Sequence, residues 1–338
     1  MKGTRTYFIT GVAGFLGSHL ADRLLTDGHR VIGCDNLVGG YLDNVPVGVE
    51  FHTVDCNNLA EMRQIMRGVD VVYHTAAFAY EGLSVFSPHL VTENVYGATV
   101  STLTAAITNK VKRFVQCSSM ARYGAQPTTP FTENMRCVPQ DPYGIAKYAA
   151  ELAVDNMAHV HGIEYVIAVP HNIIGPRQKY DDPYRNVASI MINLMLQGRQ
   201  PIIYGDGEQK RCFSFIEDVV GPLVKMGTDP HVHGHIINIG PDDEFITVNT
   251  LAKTIAELLD FKLAPVYMPG RPQEVKHATC SADKARKLLE YRPQIGLKEG
   301  LTSMIEYIKH RGVKPFRYHL ELEIVSDLTP RTWKDRLF

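Results

Sequence analysis

The sequence predicts an α/β protein in which a doubly wound parallel sheet carries a second, smaller mixed α/β domain. Three observations support this fold class. Short β-rich runs alternate with helical patterns from the first residues onward, as they do in successive βαβ units. A glycine-rich stretch joins the first β-rich run to the first helical pattern, and an acidic residue, Asp35, closes the second run. Sheets that bind a ligand at their carboxyl edge carry this combination.

The first half of the chain contains six β-rich runs, each short and apolar enough to form a buried strand. In chain order they read TYFIT, HRVIGC, VEFHTV, VDVVYHTA, KRFVQC and EYVIAV. Helical patterns lie between them at residues 15–27, 59–67, 94–109 and 142–161. Because this alternation continues through residue 169, we assign residues 1–170 to the sheet domain.

After Pro170 the alternation loosens. Helical patterns at 185–197, 248–259, 282–289 and 297–310 are separated by short strands and turns rich in proline and glycine. We assign residues 171–338 mainly to a second domain, and we expect one strand near 235–239 to return to the first sheet. The tail from about residue 313 carries apolar side chains that should pack somewhere, Trp333 among them, but the sequence assigns it no role.

The bulk composition excludes several functional classes. The chain has 338 residues, 45% hydrophobic and 21% charged, with a net charge of -1, which is an ordinary globular balance. This charge favours neither nucleic acid nor a membrane surface, and no apolar run is long enough to span a bilayer. Six scattered cysteines without paired spacing suggest a reducing, cytoplasmic setting. The histidines of HVHGH lack a Cys or Asp partner at ligand spacing, so we expect no metal.

The stretch ITGVAGFLGSHL places Gly11, Gly14 and Gly17 between the first predicted strand and the first helix. Glycine permits the tight turn that lets backbone N–H groups approach a pyrophosphate at the positive end of a helix. Asp35 follows the second strand, where a carboxylate can accept hydrogen bonds from an adenosine ribose and would repel a 2′-phosphate. The pattern therefore predicts a dinucleotide site that binds NAD rather than NADP.

Tyr143 and Lys147 stand four residues apart in DPYGIAKYAAE, near the start of a predicted helix, so their side chains share one face. Tyrosine is a poor base near neutral pH, but a neighbouring ammonium favours its phenolate. The segment SSMARYG lies upstream, at the carboxyl end of the fifth predicted strand. Since ligands of open parallel sheets bind at this edge, the two segments predict an acid/base pair beside a loop that carries hydroxyl groups.

The chain resembles the extended short-chain dehydrogenase/reductases, and within them the nucleotide-sugar 4-epimerases of the UDP-glucose and UDP-N-acetylglucosamine type. The resemblance rests on TGVAGFLG, DNL, VDC, YHTAA, ENVYGAT, SSMARYG, YGIAK, YGDGEQKRCFSFIEDV and GRPQEV, which run over nearly the whole chain. It implies a Rossmann sheet, NAD as cofactor and a nucleotide-diphosphate sugar as substrate. It also implies a homodimer in which the helices at 94–109 and 142–161 form a four-helix bundle. Surface-polysaccharide biosynthesis is the usual setting of this family.

The resemblance also implies roles for individual residues. Tyr143 is the expected acid/base, Lys147 also holds the nicotinamide ribose, and Ser119 hydrogen-bonds the sugar oxygen. Tyr123 sets this register, because the catalytic Ser or Thr of the family stands four residues before that tyrosine. Besides Tyr143 and Lys147, the expected cofactor contacts are Gly11, Gly14, Phe15, Leu16, Gly17, Asp35, Asn36, Asp55, Cys56, Thr75, Ala76, Ala77, Asn94, Ser118 and Pro170. Besides Ser119 and Tyr143, the expected substrate contacts are Glu81, Ser84, His171, Asn172, Asn186, Val187, Arg211, Phe213, Arg271 and Glu274.

The two residues after Ser119 limit the chemistry that the resemblance allows. Relatives that dehydrate a sugar carry Asp-Glu there, and relatives that epimerise at C3 and C5 carry a cysteine at the second position. Met120 and Ala121 occupy these places, and neither side chain transfers a proton. The resemblance thus implies a 4-epimerase. Tyr143 takes the proton of the 4-hydroxyl while C4 passes a hydride to NAD, and the 4-keto sugar then receives the hydride on its other face.

Other activities would use many of the same residues. A nucleotide-sugar 4-dehydrogenase or 4-ketoreductase with net redox would use the same three residues, and the sequence does not separate it from an epimerase. A 4,6-dehydratase is less expected because the site lacks the proton donors described above. A non-catalytic NAD-sensing protein is also less expected, since such proteins typically lose the Tyr/Lys pair that this chain retains.

Three residues near the site have open roles. Arg122 could contact an acidic sugar or a surface carboxylate, and we favour the surface because long cations are seldom buried unpaired. His171 could touch the sugar or be a packed histidine. Ala278 falls, by alignment from Arg271, where some epimerases have a bulky gate residue, so we expect room there for a substituent at C2 of the sugar.

Overall fold

The computed structural model describes residues 3–272 and 277–338. The strands in this part of the chain are β1 (Thr6–Thr10), β2 (Arg30–Asp35), β3 (Glu50–Thr53), β4 (Val71–His74), β5 (Arg113–Cys117), β6 (Glu164–Pro170), β7 (Ile173–Ile174), β8 (Ile202–Tyr204), β9 (Lys210–Arg211), β10 (Ser214–Phe215), β11 (Ile236–Ile239), β12 (Ile246–Thr247), β13 (Val266–Met268) and β14 (His277–Ala278). The helices are α1 (Phe15–Thr26), α2 (Leu59–Ile65), α3 (Glu81–Ser84), α4 (Pro88–Thr92), α5 (Ala98–Thr108), α6 (Pro142–His161), α7 (Val187–Leu196), α8 (Ile216–Thr228), α9 (Val248–Leu259), α10 (Asp283–Leu289), α11 (Leu297–Arg311) and α12 (Arg331–Lys334).

A seven-stranded parallel sheet forms the centre of the molecule, in the order β11-β6-β5-β4-β1-β2-β3. Phe8 of β1 pairs with Ile32 of β2 on one side and with Val72 of β4 on the other, so the strand order reverses at β1. Apolar runs form these strands because both faces of the sheet are covered by helices. The doubly wound Rossmann fold that the sequence predicts is confirmed.

Helices cover the two faces of the sheet in separate layers. On one face α1, α8 and α10 bury a cluster that includes Leu20, Leu223 and Leu289. On the other face α2, α5 and α6 bury a cluster that includes Met62 and Val154. Each helix carries its apolar residues on one stripe, and burying that stripe against the sheet stabilises both elements.

The sequence patterns did not predict α8, which contains Pro222 at its centre. Proline lacks the N–H that an interior helical position donates, so a proline usually indicates the end of a helix. Here the apolar face of α8 lies against β4, β5 and β6, and that burial outweighs the missing hydrogen bond. Tertiary packing thus overrides the local signal at this position.

The C-terminal half of the chain contributes to more than one cluster. Helices α7, α9 and α11 enclose a third apolar cluster with β8, and its members include Met191, Leu251 and Leu301. The elements α8, β11 and α10 come from the same half of the sequence but pack on the central sheet. The last residues, including Trp333, pack against a fourth cluster beside α3 and α4.

Two further observations concern membrane-spanning helices and the state of the cysteines. No helix among residues 3–272 and 277–338 is long and apolar enough to cross a membrane. All six cysteines are free thiols, and five of them are buried.

Candidate active site

A cavity of about 480 Å³ opens at the carboxyl edge of the central sheet. Its walls include Gly11 after β1, Asp35 at the end of β2, Thr75 after β4, Ser118 after β5 and Pro170 at the end of β6. Parallel strands all end at the same edge, so the sheet gathers residues that are far apart in sequence around one space. The volume lies in the range of small-molecule sites.

The glycine loop closes tightly against its neighbours at the start of α1. Gly11 has a φ of +71°, and a Cβ atom there would lie 2.9 Å from the Cα atom of Ala76. A Cβ atom on Gly17 would lie 2.3 Å from the carbonyl oxygen of Gly11. The first N–H groups of α1, which begins at Phe15, have no acceptor within the helix. Only glycine fits at these positions. The resulting loop leaves the N–H groups at the start of α1 open to the pyrophosphate of a dinucleotide.

Acidic side chains stand at the ends of β2 and β3. The carboxylate of Asp35 accepts the N–H of Leu37 at 2.7 Å and that of Ala13 at 3.1 Å. Burial raises the pKa of Asp35, and these N–H groups oppose that effect. The Asn36 amide donates to Asp55 at 2.8 Å, which places a second carboxylate at this side of the cavity. The arrangement fits the ribose of an adenosine, because both carboxylates are held by hydrogen bonds in fixed positions.

The structure brings every expected cofactor contact to this cavity. Besides Tyr143 and Lys147, the expected cofactor contacts that line it are Gly11, Gly14, Phe15, Leu16, Gly17, Asp35, Asn36, Asp55, Cys56, Thr75, Ala76, Ala77, Asn94, Ser118 and Pro170. Several positions are held from the sheet itself. The hydroxyl of Thr75 donates to the Thr10 carbonyl at 2.6 Å, and the Ala76 N–H donates to the Thr10 hydroxyl at 3.1 Å.

Ser119, Tyr143 and Lys147 line the same cavity. The ammonium of Lys147 donates to the carbonyl of Cys117 at 2.7 Å and lies 5.9 Å from the centroid of the Tyr143 ring. The hydroxyl of Ser119 accepts the Ala121 N–H at 3.2 Å and lies near enough to the Tyr143 phenol to act on its pKa. The end of β5 and the start of α6 thus hold a hydroxyl, a phenol and an ammonium close together.

The start of α6 fixes the orientation of Tyr143. Asp141 precedes the helix, and its carboxylate accepts the N–H of Gly144 at 2.8 Å, which is an N-terminal cap. Pro142 occupies the first helical position, where its missing N–H costs nothing. These local features begin the helix at one residue and place Tyr143 and Lys147 one turn apart on the face toward the cavity.

Burial shifts the pKa values of the pair in opposite senses. It raises the pKa of the Tyr143 phenol, and the Ser119 hydroxyl partly opposes this. It lowers the pKa of Lys147 to about 8, while the nearby Cys117 and Glu151 act to raise it. Both shifts have the same cause, because a low-dielectric site disfavours the charged form of each group.

Arg122 does not lie at the surface, so the position we favoured for it from the sequence is wrong. Its guanidinium forms an ion pair with the carboxylate of Glu151, 2.8 Å from Nη2 to Oε2, and both side chains are only 3% exposed. The other oxygen of Glu151 accepts the hydroxyl of Ser118. Glu151 lies one turn beyond Lys147 on α6, so a buried ion pair stands directly behind the cavity wall. The cation is buried because it is paired, which the sequence could not show.

Most of the expected substrate contacts also line the cavity. Besides Ser119 and Tyr143, these are Glu81, Asn172, Asn186, Val187, Arg211, Phe213 and Arg271. Glu274 lies outside the described residues. Ser84 and His171 are placed elsewhere, because neither lines the cavity and both are buried.

The structure explains each of these corrections. The hydroxyl of Ser84 donates to the carbonyl of Glu81 at 2.7 Å, within α3. The ring of His171 packs against Gly240 and hydrogen-bonds the Pro241 carbonyl at 3.0 Å, so it is a packed histidine. Ala278 lies in the apolar cluster under α2, α5 and α6 and does not line the cavity, so the expected room at C2 does not follow from it.

The sequence analysis missed several aromatic and cationic residues of the cavity. These are Tyr80, Tyr184, Arg185, Tyr204, Trp333 and Phe338. The guanidinium of Arg185 lies 5.0 Å from the centroid of the Tyr80 ring. Trp333 was singled out in the sequence as a residue that should pack somewhere, but only its place in the folded chain assigns it to the site. Among the residues with described positions, no cluster of three or more His, Cys, Asp or Glu side chains could hold a metal ion.

Comparison with known proteins identifies relatives along nearly the whole chain. The sequence profile of the NAD dependent epimerase/dehydratase family matches residues 7–240. The UDP-glucose 4-epimerase of Mycolicibacterium smegmatis is 32% identical over 319 residues, which span 90% of this chain and 98% of that protein. The UDP-N-acetyl-alpha-D-glucosaminuronate decarboxylase of Bacillus cytotoxicus is 30% identical and spans 89% and 97% of the two chains.

A solved structure shows the same architecture. The UDP-glucose 4-epimerase of Thermotoga maritima, determined with UDP-glucose, superposes with a TM-score of 0.85 at 31% identity. The match covers 90% of this chain and 99% of that one. The fold is therefore shared with that protein over 90% of this chain.

Proposed function

The chain belongs to the NAD-dependent epimerase/dehydratase family, which acts on nucleotide sugars, and from this premise we propose that it is a nucleotide-sugar 4-epimerase. Its cofactor is NAD, as the glycine loop and Asp35 predicted. The single observation that carries the proposal is the cluster of Ser119, Tyr143 and Lys147 beside one cavity. Neither Met120 nor Ala121 lines that cavity, so the positions that supply proton donors in dehydrating relatives contribute none here.

The proposed roles follow from the positions of the three side chains. Tyr143 exchanges the proton of the sugar 4-hydroxyl, and Ser119, whose hydroxyl acts to lower the pKa of the phenol, hydrogen-bonds the same sugar oxygen. Lys147 favours the phenolate of Tyr143 through its positive charge and holds the nicotinamide ribose. When bound, NAD would supply the hydride acceptor and donor at C4. A 4-keto sugar that turns within the cavity before the hydride is returned emerges with C4 inverted and no net redox.

The other end of the cavity suits a nucleoside diphosphate. Arg211 and Arg271 both line it, and a guanidinium fork matches phosphate oxygens. Phe213, Asn172 and Asn186 line the same region and offer an aromatic face and amide groups for the rest of the nucleotide. These contacts would hold the nucleotide still while the sugar moves, which a 4-epimerase requires.

A net-redox enzyme is the second candidate. A 4-dehydrogenase or 4-ketoreductase would use the same Ser119, Tyr143 and Lys147, and a decarboxylase among the relatives shows that the family supports other outcomes. The difference lies in whether the keto sugar is reduced again before it leaves. Product analysis separates these outcomes directly.

The test is to incubate the purified protein, without added cofactor, with UDP-, GDP-, CDP- and dTDP-sugars and to resolve the products by proton NMR. A C4-inverted sugar without accumulating NADH supports the epimerase. A 4-keto product that appears with stoichiometric NADH, and only when NAD is supplied, contradicts it. Release of carbon dioxide from a nucleotide uronic acid or loss of a sugar hydroxyl as water contradicts it as well.

We also propose that the protein forms a homodimer through α5 and α6. The outer face of α6 carries Ile145 and Leu152, which are 53% and 54% exposed and two turns apart on one stripe. Tyr96, in the π-helical turn Glu93–Gly97 that leads into α5, and Val100 of α5 are exposed in the same way. Two such faces from each of two chains would make a four-helix bundle with an apolar interior.

A further inference from the structure

We propose that the C-terminal tail, residues 313–338, forms a wall of the substrate site, and that Trp333 contacts the sugar and helps to determine which sugar is accepted. The inference rests on the proposed function, because it assumes a nucleotide sugar in the cavity. It goes beyond that function in assigning a substrate contact to a segment that the sequence left without a role.

The tail is held against the body of the protein by hydrogen bonds along its length. The Tyr184 hydroxyl donates to the carbonyl of Leu320 at 2.9 Å, and the Ser87 hydroxyl donates to that of Glu321 at 2.7 Å. The carboxylate of Glu323 accepts two backbone N–H groups at the start of α4. Because both the backbone carbonyls and a side chain of the tail accept hydrogen bonds from the body of the protein, the segment has a defined position beside α3 and α4.

Trp333 is the tail residue that these contacts bring to the cavity, together with Phe338. Its ring packs between Phe86, at 6.1 Å between centroids, and Tyr184, at 5.7 Å. Its indole N–H donates to the Pro183 carbonyl at 3.1 Å. Because the one polar atom of the ring is used in this way, the indole presents only apolar carbons to the cavity.

The contacts of Gly82 show which part of the cavity Trp333 borders. A Cβ atom on Gly82 would lie 3.5 Å from Cη2 of Trp333 and 3.3 Å from Nη1 of Arg271. The preceding residue, Glu81, is near enough to Tyr143 for its charge to act on the phenol. Gly82 thus places the indole beside the arginine proposed for the diphosphate, one residue along the chain from a carboxylate whose charge acts on the reacting phenol. In a nucleotide sugar, the group between the reacting hydroxyl and the diphosphate is the sugar ring.

An aromatic wall at this place has two consequences for the substrate. Its carbons can pack against the C–H groups of a pyranose, which are apolar although the ring bears hydroxyls. Its bulk limits the size of a substituent on the side of the sugar that faces the tail. Trp333 is thus expected to act on affinity for the sugar and on the choice between sugars, and not on the nucleotide.

Fluorescence provides a direct test in the unmodified protein, because Trp333 is the only tryptophan of the chain. UDP-, dTDP- and GDP-hexoses are titrated into the full-length protein, each beside its own free nucleoside diphosphate, with excitation at the red edge of the indole band. We expect the nucleotide sugar to change the emission and the free nucleoside diphosphate to change it much less. Equal changes from both would overturn the inference.

Substitution supplies the second test. In Trp333→Leu we expect the Kd of the preferred nucleotide sugar to rise about tenfold, while the Kd of its nucleoside diphosphate changes less than about twofold. We also expect the ratio of Kd values for an N-acetylated and an unsubstituted hexose to change. Leu322→Ala is the matched control, since Leu322 packs in the same cluster of the tail but does not line the cavity.

The outcomes separate the inference from its premise. If the unsubstituted protein binds none of the nucleotide sugars, the proposed function fails and the inference falls with it. If that protein binds one and Trp333→Leu binds it equally well, only the inference fails. If Leu322→Ala weakens sugar binding as much as Trp333→Leu, the tail has a merely structural role, and the inference also fails.

Discussion

Tyr143 is the residue on which the proposed chemistry depends most directly. It is the only side chain of the cluster whose hydroxyl can exchange a proton while an adjacent ammonium balances its charge. Burial raises its pKa, so the free protein holds it as a phenol near neutral pH. Ser119 and the charge of Arg185 act to lower this pKa. The ammonium of Lys147, 5.9 Å from the centroid of the ring, adds a positive charge on the same side.

Removing this hydroxyl gives the first prediction. Tyr143→Phe keeps the ring and its packing, and we expect kcat to fall by roughly 10²- to 10⁴-fold, the usual contribution of an acid/base group. Binding of the nucleotide sugar should change little, and calorimetry would measure it alongside the turnover. Tyr148→Phe is the control, because Tyr148 lies on the same helix and does not line the cavity. Turnover retained in Tyr143→Phe would assign the proton transfer to another group.

The second prediction concerns the buried pair of Arg122 and Glu151. Arg122→Met leaves the carboxylate of Glu151 buried without its cation, which typically costs about 3–5 kcal/mol in the free energy of unfolding. The double variant Arg122→Met/Glu151→Gln removes both charges and keeps an acceptor for Ser118, so most of that loss should be recovered. Urea denaturation of the two variants measures the difference. A double variant as unstable as Arg122→Met would show that the packing of the guanidinium, not its charge, matters.

The same pair gives a prediction about pH. Burial lowers the pKa of Lys147, and Cys117 and the charge of Glu151 oppose this, with a net value of about 8. The ammonium is the form that favours the phenolate, so kcat/KM should fall as the pH rises through the pKa of Lys147. Glu151→Gln removes a negative charge that favours the protonated form of Lys147. In this variant kcat/KM should therefore fall at a lower pH than in the unsubstituted protein. Asp155→Asn, one turn further along α6, should leave that pH unchanged.

At the scale of elements, the glycine loop and the start of α1 form one unit. The loop can pack directly against Ala76 because Gly11 adopts a φ of +71° and has no side chain to keep the two backbones apart. This close approach, more than the flexibility of glycine, is what the pattern GxxGxxG encodes here. The N–H groups at the start of α1 remain available for a pyrophosphate as a result.

Gly11→Ala tests that unit. The new methyl group would meet Ala76 at 2.9 Å, so we expect the loop to shift and the Kd for NAD to rise by about tenfold or more. Gly28→Ala is a matched control, because Gly28 also has a positive φ, of +83°, but a Cβ atom there meets nothing within 4 Å. Both variants carry the cost of the left-handed backbone, about 1–2 kcal/mol. Equal NAD affinity in the two variants would contradict the steric explanation.

At the scale of the whole molecule, the outer faces of α5 and α6 are the apolar surface that the proposed homodimer would bury. Leu152→Asp places a charge at the centre of the α6 stripe, and we expect it to convert the dimer to a monomer in analytical ultracentrifugation. Val47→Asp is the control, since Val47 is fully exposed outside these helices. A chain that is already monomeric without the substitution would rule out the dimer.

The fold of the whole molecule was largely predictable from local patterns. The six strands and the helices at 59–65 and 142–161 lie within a few residues of where the sequence predicted them. The reason is that these signals are local: the spacing of apolar residues, the apolar runs of strands and helix caps such as Asp141 before α6 each involve only a few neighbouring residues. The glycine loop, Asp35 and the Tyr143/Lys147 spacing are equally local, so the cofactor and the reacting residues could be proposed without a structure.

Tertiary structure decided what local patterns do not contain. The sequence offers Arg122, His171 and Trp333 as a cation, an imidazole and an aromatic ring, each with several possible environments. Their positions depend on partners far along the chain, namely Glu151, Pro241 and Pro183. Burial and pairing are properties of the packed molecule, so only the folded chain shows that Arg122 is paired in the interior, that His171 is packed away from the cavity and that Trp333 forms its wall.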